Sequence, residues 1–233
     1  MMRQFFSLLL LVFAVVGSQQ ASAQKIIEKS ANVAAGQRVF LNLKQGSSIR
    51  IRAGAPGKMT LRASVNVNSN RLNDALQLAV ASTADELKVT ADYDQEMLRQ
   101  AQPGDCPDFK GDRNIWHGQQ VCETITYEIT LPADVALRVS TYSANVDIAG
   151  LTGTIEAKSL SGFVDVAWPA GQGAQLSLKT ITGEVYTDQD IAFTTAPRKN
   201  PIVGYQLQGT LSGSGPLVKL ESISNDVYFR KRK

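Results

Sequence analysis

The sequence contains few of the residues that build metal centres or nucleic-acid interfaces. Its 233 residues include one histidine and two cysteines, and aromatic residues make up 7%. These counts exclude a multi-histidine metal centre and a zinc ribbon. The formal net charge is only +3, whereas a dedicated nucleic-acid-binding protein usually carries a strongly basic face. We therefore expect no metal, no cofactor and no nucleic-acid partner, while the 43% of hydrophobic residues can bury a core.

Long hydrophobic runs are also lacking, except near the beginning of the chain. Residues 5–16 are almost all apolar, Arg3 precedes them, and Ala21-Ser22-Ala23 follows a short polar stretch. This order is typical of a secretory signal peptide, and the run is shorter than the roughly 20 residues of a transmembrane helix. We expect cleavage after Ala23 and export to the periplasm, the cell surface or the medium, with no transmembrane segment left. An uncut N-terminal membrane anchor is the alternative.

Export makes a disulfide between Cys106 and Cys122 the expected state of the two cysteines. Their separation of 16 positions is unlike the Cys-x-x-Cys spacing of redox-active pairs. An unstrained disulfide would stabilise the fold by about 3 kcal/mol. It lies within the segment 92–123, the cysteine loop, which is rich in Asp, Gln, Gly and Pro and contains Trp116. This loop is either a recognition element on a rigid scaffold or a simple connection between strands.

Most segments after residue 23 alternate apolar and polar residues. Such alternation predicts half-buried β-strands, and sequences rich in Gly and Pro separate them as turns. Only residues 70–76 are suited to a helical turn. The alternating segments of the first half are residues 39–43, 48–52, 60–67, 76–80, 86–90 and 124–131. We predict an all-β chain whose N-terminal half consists of antiparallel strands.

The second half of the chain contains a repeat of four alignable segments. They begin at Leu137, Ile155, Leu176 and Val218, with offsets of 18, 21 and 42 residues. A period of about 20 residues is typical of solenoids, in which each unit buries its apolar face against its neighbours. The repeat therefore predicts a β-solenoid or β-roll. The doubled last offset predicts a degenerate or outlooped turn within residues 191–210.

Equivalent positions of the repeat share one chemical character. Alternate residues should point inward as apolar and hydroxyl columns, and we expect stacked hydroxyls to hydrogen-bond along a column. A corner site follows, where small size or tolerance of positive φ would let the chain turn. One apolar column is Val139, Ala157, Leu178 and Leu220, the inner hydroxyls are Thr141, Ser159, Thr180 and Ser222, and the corner residues are Ala144, Gly162, Gly183 and Asn225.

The pattern of an apolar strand followed by Ser/Thr-x-Ser/Thr-Gly-x-Val resembles the putative adhesin family of bacterial envelope proteins. The match covers about residues 124–229 and rests on the strand Tyr-Glu-Ile-Thr-Leu-Pro at 127–132 and on the last repeat at 213–228. Ala144 and Asn225 depart from the customary glycine. The resemblance implies an exported β-solenoid or β-roll with an adhesive or binding role, and it supplies no catalytic residues.

Four residues at one outward site of the repeat are candidates for a ligand surface. Asp147 and Asp165 would lie about 5 Å apart in stacked units, a separation that suits a bound cation or glycoside hydrolysis. We favour the simpler interpretation that both are solvated surface residues. Tyr186 and Tyr228 follow at the same site and either offer a sugar-stacking surface or complete the edge of the core. Trp116 is a further candidate in the cysteine loop.

These features divide the chain into a signal peptide, residues 1–23, and one all-β domain. The domain comprises N-terminal strands with the cysteine loop (24–131), the repeat region (132–229) and a basic tail (230–233). We expect a non-enzymatic exported protein of the cell envelope, an adhesin or binding scaffold whose candidate partners are envelope glycans or surface proteins. The alternatives are a polysaccharide-active β-helix enzyme or glycan-binding protein, and an envelope sensor that binds a partner protein.

The signal peptide can be tested directly. Exported protein should begin at Gln24 and retain 210 of the 233 residues, because residues 21–23 fit the signal-peptidase site. Intact-mass measurement and N-terminal sequencing check this. An Ala23→Arg variant, which places a large charged side chain before the cut, should keep the longer chain. Exported protein that still begins at Met1 would contradict the prediction.

Overall fold

A computed structural model describes residues 24–107, 115–116, 119–194 and 204–232, so the expected signal peptide lies outside the described residues. The described residues form 19 strands, a 3₁₀ turn at Asn73–Ala75, where a helical turn was predicted, and a short helix, α1, at Gln95–Leu98. The strands are β1 Lys25–Asn32, β2 Arg38–Leu43, β3 Ser48–Ala53, β4 Lys58–Val67, β5 Leu76–Ser82, β6 Glu86–Tyr93, β7 Ile115–Trp116, β8 Gln119–Gln120, β9 Glu123–Leu131, β10 Leu137–Thr141, β11 Asn145–Ala149, β12 Ile155–Ser159, β13 Val164–Trp168, β14 Ala174–Thr180, β15 Val185–Thr187, β16 Ile191–Phe193, β17 Tyr205–Leu211, β18 Leu217–Ser222 and β19 Val227–Lys231.

Two mixed sheets contain nearly all of these strands, so the chain is all-β as predicted. The eight-stranded sheet has the order β1-β4-β9-β3-β11-β13-β19-β15. The nine-stranded sheet has the order β16-β17-β14-β18-β12-β10-β2-β6-β5, while β7 and β8 pair with each other. Apolar residues of both sheets form one buried cluster, in which Trp168, Tyr127 and Phe229 are the largest fully buried side chains.

The chain repeatedly runs along a strand of the nine-stranded sheet and then along a strand of the eight-stranded sheet. These strand pairs, called units below, are β2-β3, β10-β11, β12-β13, β14-β15 and β18-β19. Neighbouring units pair in parallel in both sheets. Val139 is in register with Ala157, Ala157 with Leu220, and Leu220 with Leu178. The predicted alignment of this buried apolar column is confirmed.

The units are not stacked in chain order. Strand β18 pairs in parallel with both β12 and β14, so the fourth repeat lies between the second and the third. The doubled offset before the fourth repeat is not a degenerate turn of the stack, because β17 pairs antiparallel with β14 and β16. Strands β16 and β17 instead extend the nine-stranded sheet at one edge. Residues 195–203 of the predicted turn lie outside the described residues.

The N-terminal half is not purely antiparallel, contrary to the prediction. Strands β2 and β3 pair in parallel with β10 and β11, and β6 and β9 pair in parallel with β2 and β3. Antiparallel pairs join β1 to β4, β4 to β9, and β5 to β6. Alternation of apolar and polar residues identifies a half-buried strand but does not show whether its neighbours run parallel or antiparallel to it. The pairing of these strands could therefore not be predicted from the alternation.

A buried hydroxyl closes the corner between the two strands of a unit. Ser159 Oγ donates to the carbonyl oxygen of Ala144 at 3.0 Å and accepts from the backbone N–H of Gly162 at 2.9 Å. Ser222 and Thr180 make the equivalent bonds, each to its own corner and to that of a neighbouring unit. These hydroxyls satisfy buried backbone groups and do not bond to one another along the column, which corrects that expectation.

Glycine is needed at two corners because neighbouring units approach closely there. A Cβ atom on Gly162 would lie 2.1 Å from the carbonyl oxygen of Ala144, and one on Gly183 would lie 2.2 Å from that of Asn225. Neither glycine has a φ in the left-handed region, so small size is the requirement. Ala144 and Asn225 alternate with the glycines along the stack, which explains the two departures from glycine in the repeat.

Leu220 provides a test of the apolar column. Leu220→Ala should lower the free energy of unfolding by about 2 to 5 kcal/mol, because the side chain is fully buried between Ala157 and Leu178 and its removal leaves a cavity. Leu217 begins the same strand but is 39% exposed, so Leu217→Ala should cost about 0.5 kcal/mol or less. Urea denaturation measures both values. Equal losses in the two variants would contradict the burial of the column.

Candidate functional site

The predicted ligand residues lie side by side on the outer face of the eight-stranded sheet. Asp147 of β11 is in register with Asp165 of β13. Asp165 is in register with Tyr228 of β19, which pairs in turn with Tyr186 of β15. The structure therefore brings all four together, while Trp116 belongs to the separate pair of short strands. The row continues beyond Asp147 with residues of alternating charge: Arg50, Glu128, Arg62 and Glu28.

Each of the two carboxylates is held by its own arginine. Arg52 donates hydrogen bonds of 3.0 and 2.7 Å to the two oxygens of Asp147. Arg230 donates to both oxygens of Asp165, with one bond of 3.0 Å. Asp165 is only 8% exposed, so its ion pair replaces hydration that burial has removed. The expectation that both are simply solvated surface residues is therefore wrong for Asp165, whereas the side chain of Asp147 stays 39% exposed beside Arg52.

Neither arginine was predicted from the sequence as part of this site. Arg230 was assigned to a basic tail, but it belongs to β19 and follows Tyr228 by two residues on the same face. Continuing the alternation of inward and outward residues through residue 230 would have placed Arg230 on the outer face with Tyr228. Its hydrogen bond to Asp165 is the main cause that raises the pKa of Arg230. Arg52 is 95 positions from Asp147, and no local pattern connects the two residues.

An aromatic cluster lies at one edge of the eight-stranded sheet. The rings of Tyr186 and Tyr228 stack with centroids 5.1 Å apart and planes 13° apart, and Phe163 meets Tyr228 edge-on at 6.0 Å. Tyr186 lies on the edge strand and is 44% exposed. Its hydroxyl donates to Glu184 at 2.8 Å, and this bond raises the pKa of Tyr186 to about 12. The Tyr228 hydroxyl donates to Asp226 at 2.9 Å.

This aromatic cluster, Phe163, Tyr228 and Tyr186, has the chemistry of a carbohydrate contact. An aromatic ring packs well against the apolar face of a sugar. The carboxylates of Glu184 and Asp226, which accept from the tyrosine hydroxyls, can also accept hydrogen bonds from sugar hydroxyl groups. Tyr228 is half-buried between its neighbours, so Tyr186 is the ring that remains accessible to a ligand.

The predicted disulfide between Cys106 and Cys122 is confirmed, with Cα atoms 5.8 Å apart. Asn68 anchors it at the end of β4. The Asn68 backbone N–H donates to the carbonyl oxygen of Cys122 at 2.9 Å, and its side-chain oxygen accepts from the Cys122 N–H at 3.0 Å. Asn68, Ser69 and Asn70 all have positive φ, between 49° and 70°. The cysteine loop is therefore fastened to a tight turn of left-handed residues.

An ion pair between Arg71 and Asp105 provides a second anchor for the loop. The Asp105 carboxylate also accepts from the backbone N–H of Gln102 at 2.8 Å. The hydrogen bond from Arg71 is the largest cause that lowers the pKa of Asp105. The backbone of Trp116 lies in β7, but residues 108–114 and 117–118 and the Trp116 side chain are outside the described part of the chain. Recognition by this loop stays a prediction.

A half-buried carboxyl group, Glu123, begins β9 at the end of the cysteine loop. Burial raises the pKa of Glu123, although the Tyr93 hydroxyl and the backbone N–H of Gly46 both donate to its carboxylate. Tyr93, Gly46 and Glu123 come from separate segments, so no local sequence pattern predicts this contact. Both carboxylate oxygens of Glu123 therefore accept hydrogen bonds within the fold, which indicates a structural role.

Within the described ranges, no three His, Cys, Asp or Glu side chains are grouped so that they could hold a metal ion. The same residues include no helix of the length and hydrophobicity needed to cross a membrane. The expectations of no metal and no cofactor remain predictions.

Comparison with known proteins yields only distant similarity. No protein family matches the chain, and no curated protein matches it. A solved structure of a putative cell adhesion protein from Clostridium sporogenes is 10% identical, with 89% of this chain and 100% of that chain covered and a TM-score of 0.48. A putative adhesin from Bacteroides fragilis is 12% identical, with 89% and 98% covered and a TM-score of 0.23.

The loop anchor at Asp105 should make stability depend on pH. The pKa of Asp105 is lower in the folded state, so its ion pair contributes stability above the unfolded pKa of about 4 and loses it as the pH falls through the folded value. Asp105→Asn should cost about 1 kcal/mol at neutral pH and less in strong acid. Urea denaturation at both pH values measures this without screening the ion pair, with Asp74→Asn, an exposed carboxylate paired with Lys25, as control. An Asp105→Asn loss that does not shrink in acid would contradict the assignment.

Proposed function

We propose that the mature chain is an exported, non-enzymatic protein of the cell envelope with an adhesin-like binding role. The observation that carries this proposal is the aromatic cluster at the edge of a rigid sheet, where Tyr186 stacks on Tyr228 and stays exposed. Aromatic rings held on a rigid element supply contact area at a low cost in conformational entropy. The disulfide fits an oxidising compartment outside the cytoplasm, in agreement with the expected signal peptide.

The architecture that supports this role is, in our proposal, a β-solenoid of two-stranded units. The support is the parallel register of neighbouring units and the repeated closure of their corners by a buried hydroxyl. In such a stack each unit contacts only its neighbours, and equivalent surface positions recur at regular intervals. A regular surface of this kind suits a ligand that is itself a repeating polymer.

The alternative function is hydrolysis of a polysaccharide by Asp147 and Asp165. Glycoside hydrolysis needs one carboxyl group that delivers a proton and a second that acts as a base or nucleophile. Arg52 and Arg230 already donate to the oxygens of both aspartates. These ion pairs favour a binding role for the surface over a hydrolytic one.

Binding can be measured with beads that carry the mature chain, applied to a glycan array and to envelope fragments. We expect retention of the beads without release of reducing sugar. Tyr186→Ser should reduce retention about three- to tenfold, because it removes the accessible ring. The matched control is Phe193→Ser, which removes a ring of similar exposure, 41% against 44%, from an edge strand of the other sheet. This control should retain the beads as well as the parent protein does.

Three results would change the proposal. Equal retention by Tyr186→Ser and the parent would contradict the role of the aromatic cluster. Sugar release that disappears in an Asp147→Asn, Asp165→Asn double variant would establish the hydrolytic alternative instead. Retention that is lost when the envelope fragments are treated with protease, with no glycan bound on the array, would favour a sensor that binds a partner protein.

A further inference from the structure

The outer face of the nine-stranded sheet is a second surface with a different charge pattern. Its six central strands, β6, β2, β10, β12, β18 and β14, carry six outward cations and four outward carboxylates. Asp92, one of these carboxylates, is neutralised by Lys44 of the adjoining turn at 2.8 Å. The cations are Arg38, Lys88, Arg138, Lys158, Lys179 and Lys219, and the other carboxylates are Glu86, Glu156 and Glu221. The face therefore has an excess of positive charge.

The two outer faces differ in how their cations are used. On the eight-stranded sheet, the outward arginines each face a carboxylate: Arg50, Arg52, Arg62 and Arg230. On the nine-stranded sheet, no carboxylate oxygen of the described residues lies within 4.0 Å of Lys88, Arg138 or Lys219. Cations without a carboxylate partner are available to an anionic ligand.

An aromatic ring lies among these cations. Phe40 is half-buried on β2, with the Lys88 ammonium 5.5 Å and the Arg138 guanidinium 4.9 Å from the ring centre. These contacts hold both cations beside the ring on the outer face. Next to them, Arg138, Glu156, Lys158 and Lys219 line a shallow depression of about 210 Å³. Cations held in place beside a depression match the needs of an acidic sugar, whose charged group they can pair with.

The cations recur at alternate strands. Lys88, Arg138 and Lys219 occupy one row across the sheet, on β6, β10 and β18, and one strand separates each from the next. Lys158 and Lys179 are spaced in the same way in the neighbouring row, with Glu221 between them at 3.3 Å from each. Strands lie about 4.8 Å apart, so the cations repeat every 9.6 Å or so. An extended disaccharide unit has a comparable length.

We propose that this face binds a linear acidic polysaccharide with one carboxylate on every second sugar, lying across the strands from β6 to β14. The five strand spacings of this path cover about 24 Å. Asn42 and Ser140, in the row beside the cations, offer hydrogen bonds to the sugar hydroxyls. The inference takes from the proposed function only the exported location, and it concerns a surface separate from the aromatic cluster.

The spacing of the cations distinguishes this ligand from a nucleic acid. A nucleic-acid strand carries a negative charge roughly every 3.4 Å, much more densely than the cations of the row. The intervening Glu156 would repel some of those phosphates, whereas a glycan with acids on alternate sugars places an uncharged sugar there. Both nucleic acid and anionic lipid therefore become competing outcomes of the test.

The test measures binding of the mature protein to a hyaluronan octasaccharide, which carries one carboxylate per disaccharide, by calorimetry at physiological ionic strength. An Arg138→Gln, Lys219→Gln double variant should bind at least about tenfold more weakly, because two charge-assisted hydrogen bonds are lost. The matched control, Lys29→Gln with Lys58→Gln, removes the same charge from exposed positions of β1 and β4 and should bind as the parent does. Neutral chitohexaose should show no comparable binding.

Several results would overturn the inference. These are absence of hyaluronan binding, equal binding by the Arg138→Gln, Lys219→Gln variant and the parent, equal binding of chitohexaose, and tighter binding of oligothymidylate or of phosphatidylglycerol vesicles. The bead assay on the parent and on Tyr186→Ser, carried out in parallel with the calorimetry, separates the two surfaces. If that retention persists while hyaluronan fails to bind, the inference is wrong and the proposed function stands. If hyaluronan binds and Tyr186→Ser has no effect on bead retention, the proposed function is wrong and the inference stands.

Discussion

The close approach of neighbouring units at their corners is the constraint on which the rest of the structure depends. At Gly162 and Gly183 there is no room for a Cβ atom, and the buried hydroxyls of Ser159, Thr180 and Ser222 supply hydrogen bonds to backbone groups of the corners. Each hydroxyl bonds to two units, so the corner fixes the register between them. In-register stacking then follows in both sheets, because the strands leave the corner side by side.

This register determines the chemistry of both outer faces. Outward residues of adjacent strands are held about 4.8 Å apart, so one face becomes a ladder of arginine–carboxylate pairs and the other a row of regularly spaced cations. On the first face each of the four outward arginines has a carboxylate partner, and the aromatic cluster at the edge is the surface that we propose for a ligand. On the second face the positive excess remains. The two surfaces that we propose for binding therefore follow from one register.

The repeat predicted which residues of the candidate site are neighbours, but it did not predict the ion pairs of the two aspartates. Alignment of the repeats placed Asp147 beside Asp165, and Tyr228 beside Tyr186, because equivalent positions of stacked units are neighbours. The partners of the aspartates were missed, since Arg52 belongs to a unit outside the recognised repeat and lies 95 positions away from Asp147. Solvation of a carboxylate depends on such distant neighbours, so an outward position in a pattern does not reveal whether the group is free or paired.

The sequence by itself determined the all-β class, the inward positions and the corners, because a period of two and a recurring Ser/Thr and Gly pattern are local properties of the chain. The pairing of the cysteines followed from their number. Only the tertiary structure decided the order of the units, the parallel joining of β2 and β3 to the repeats, and the place of β18 between β12 and β14. Any strand with the same inward pattern can bury its apolar side in the stack, so the choice of neighbour depends on the path of the connecting segments and on which sheet edge is already occupied.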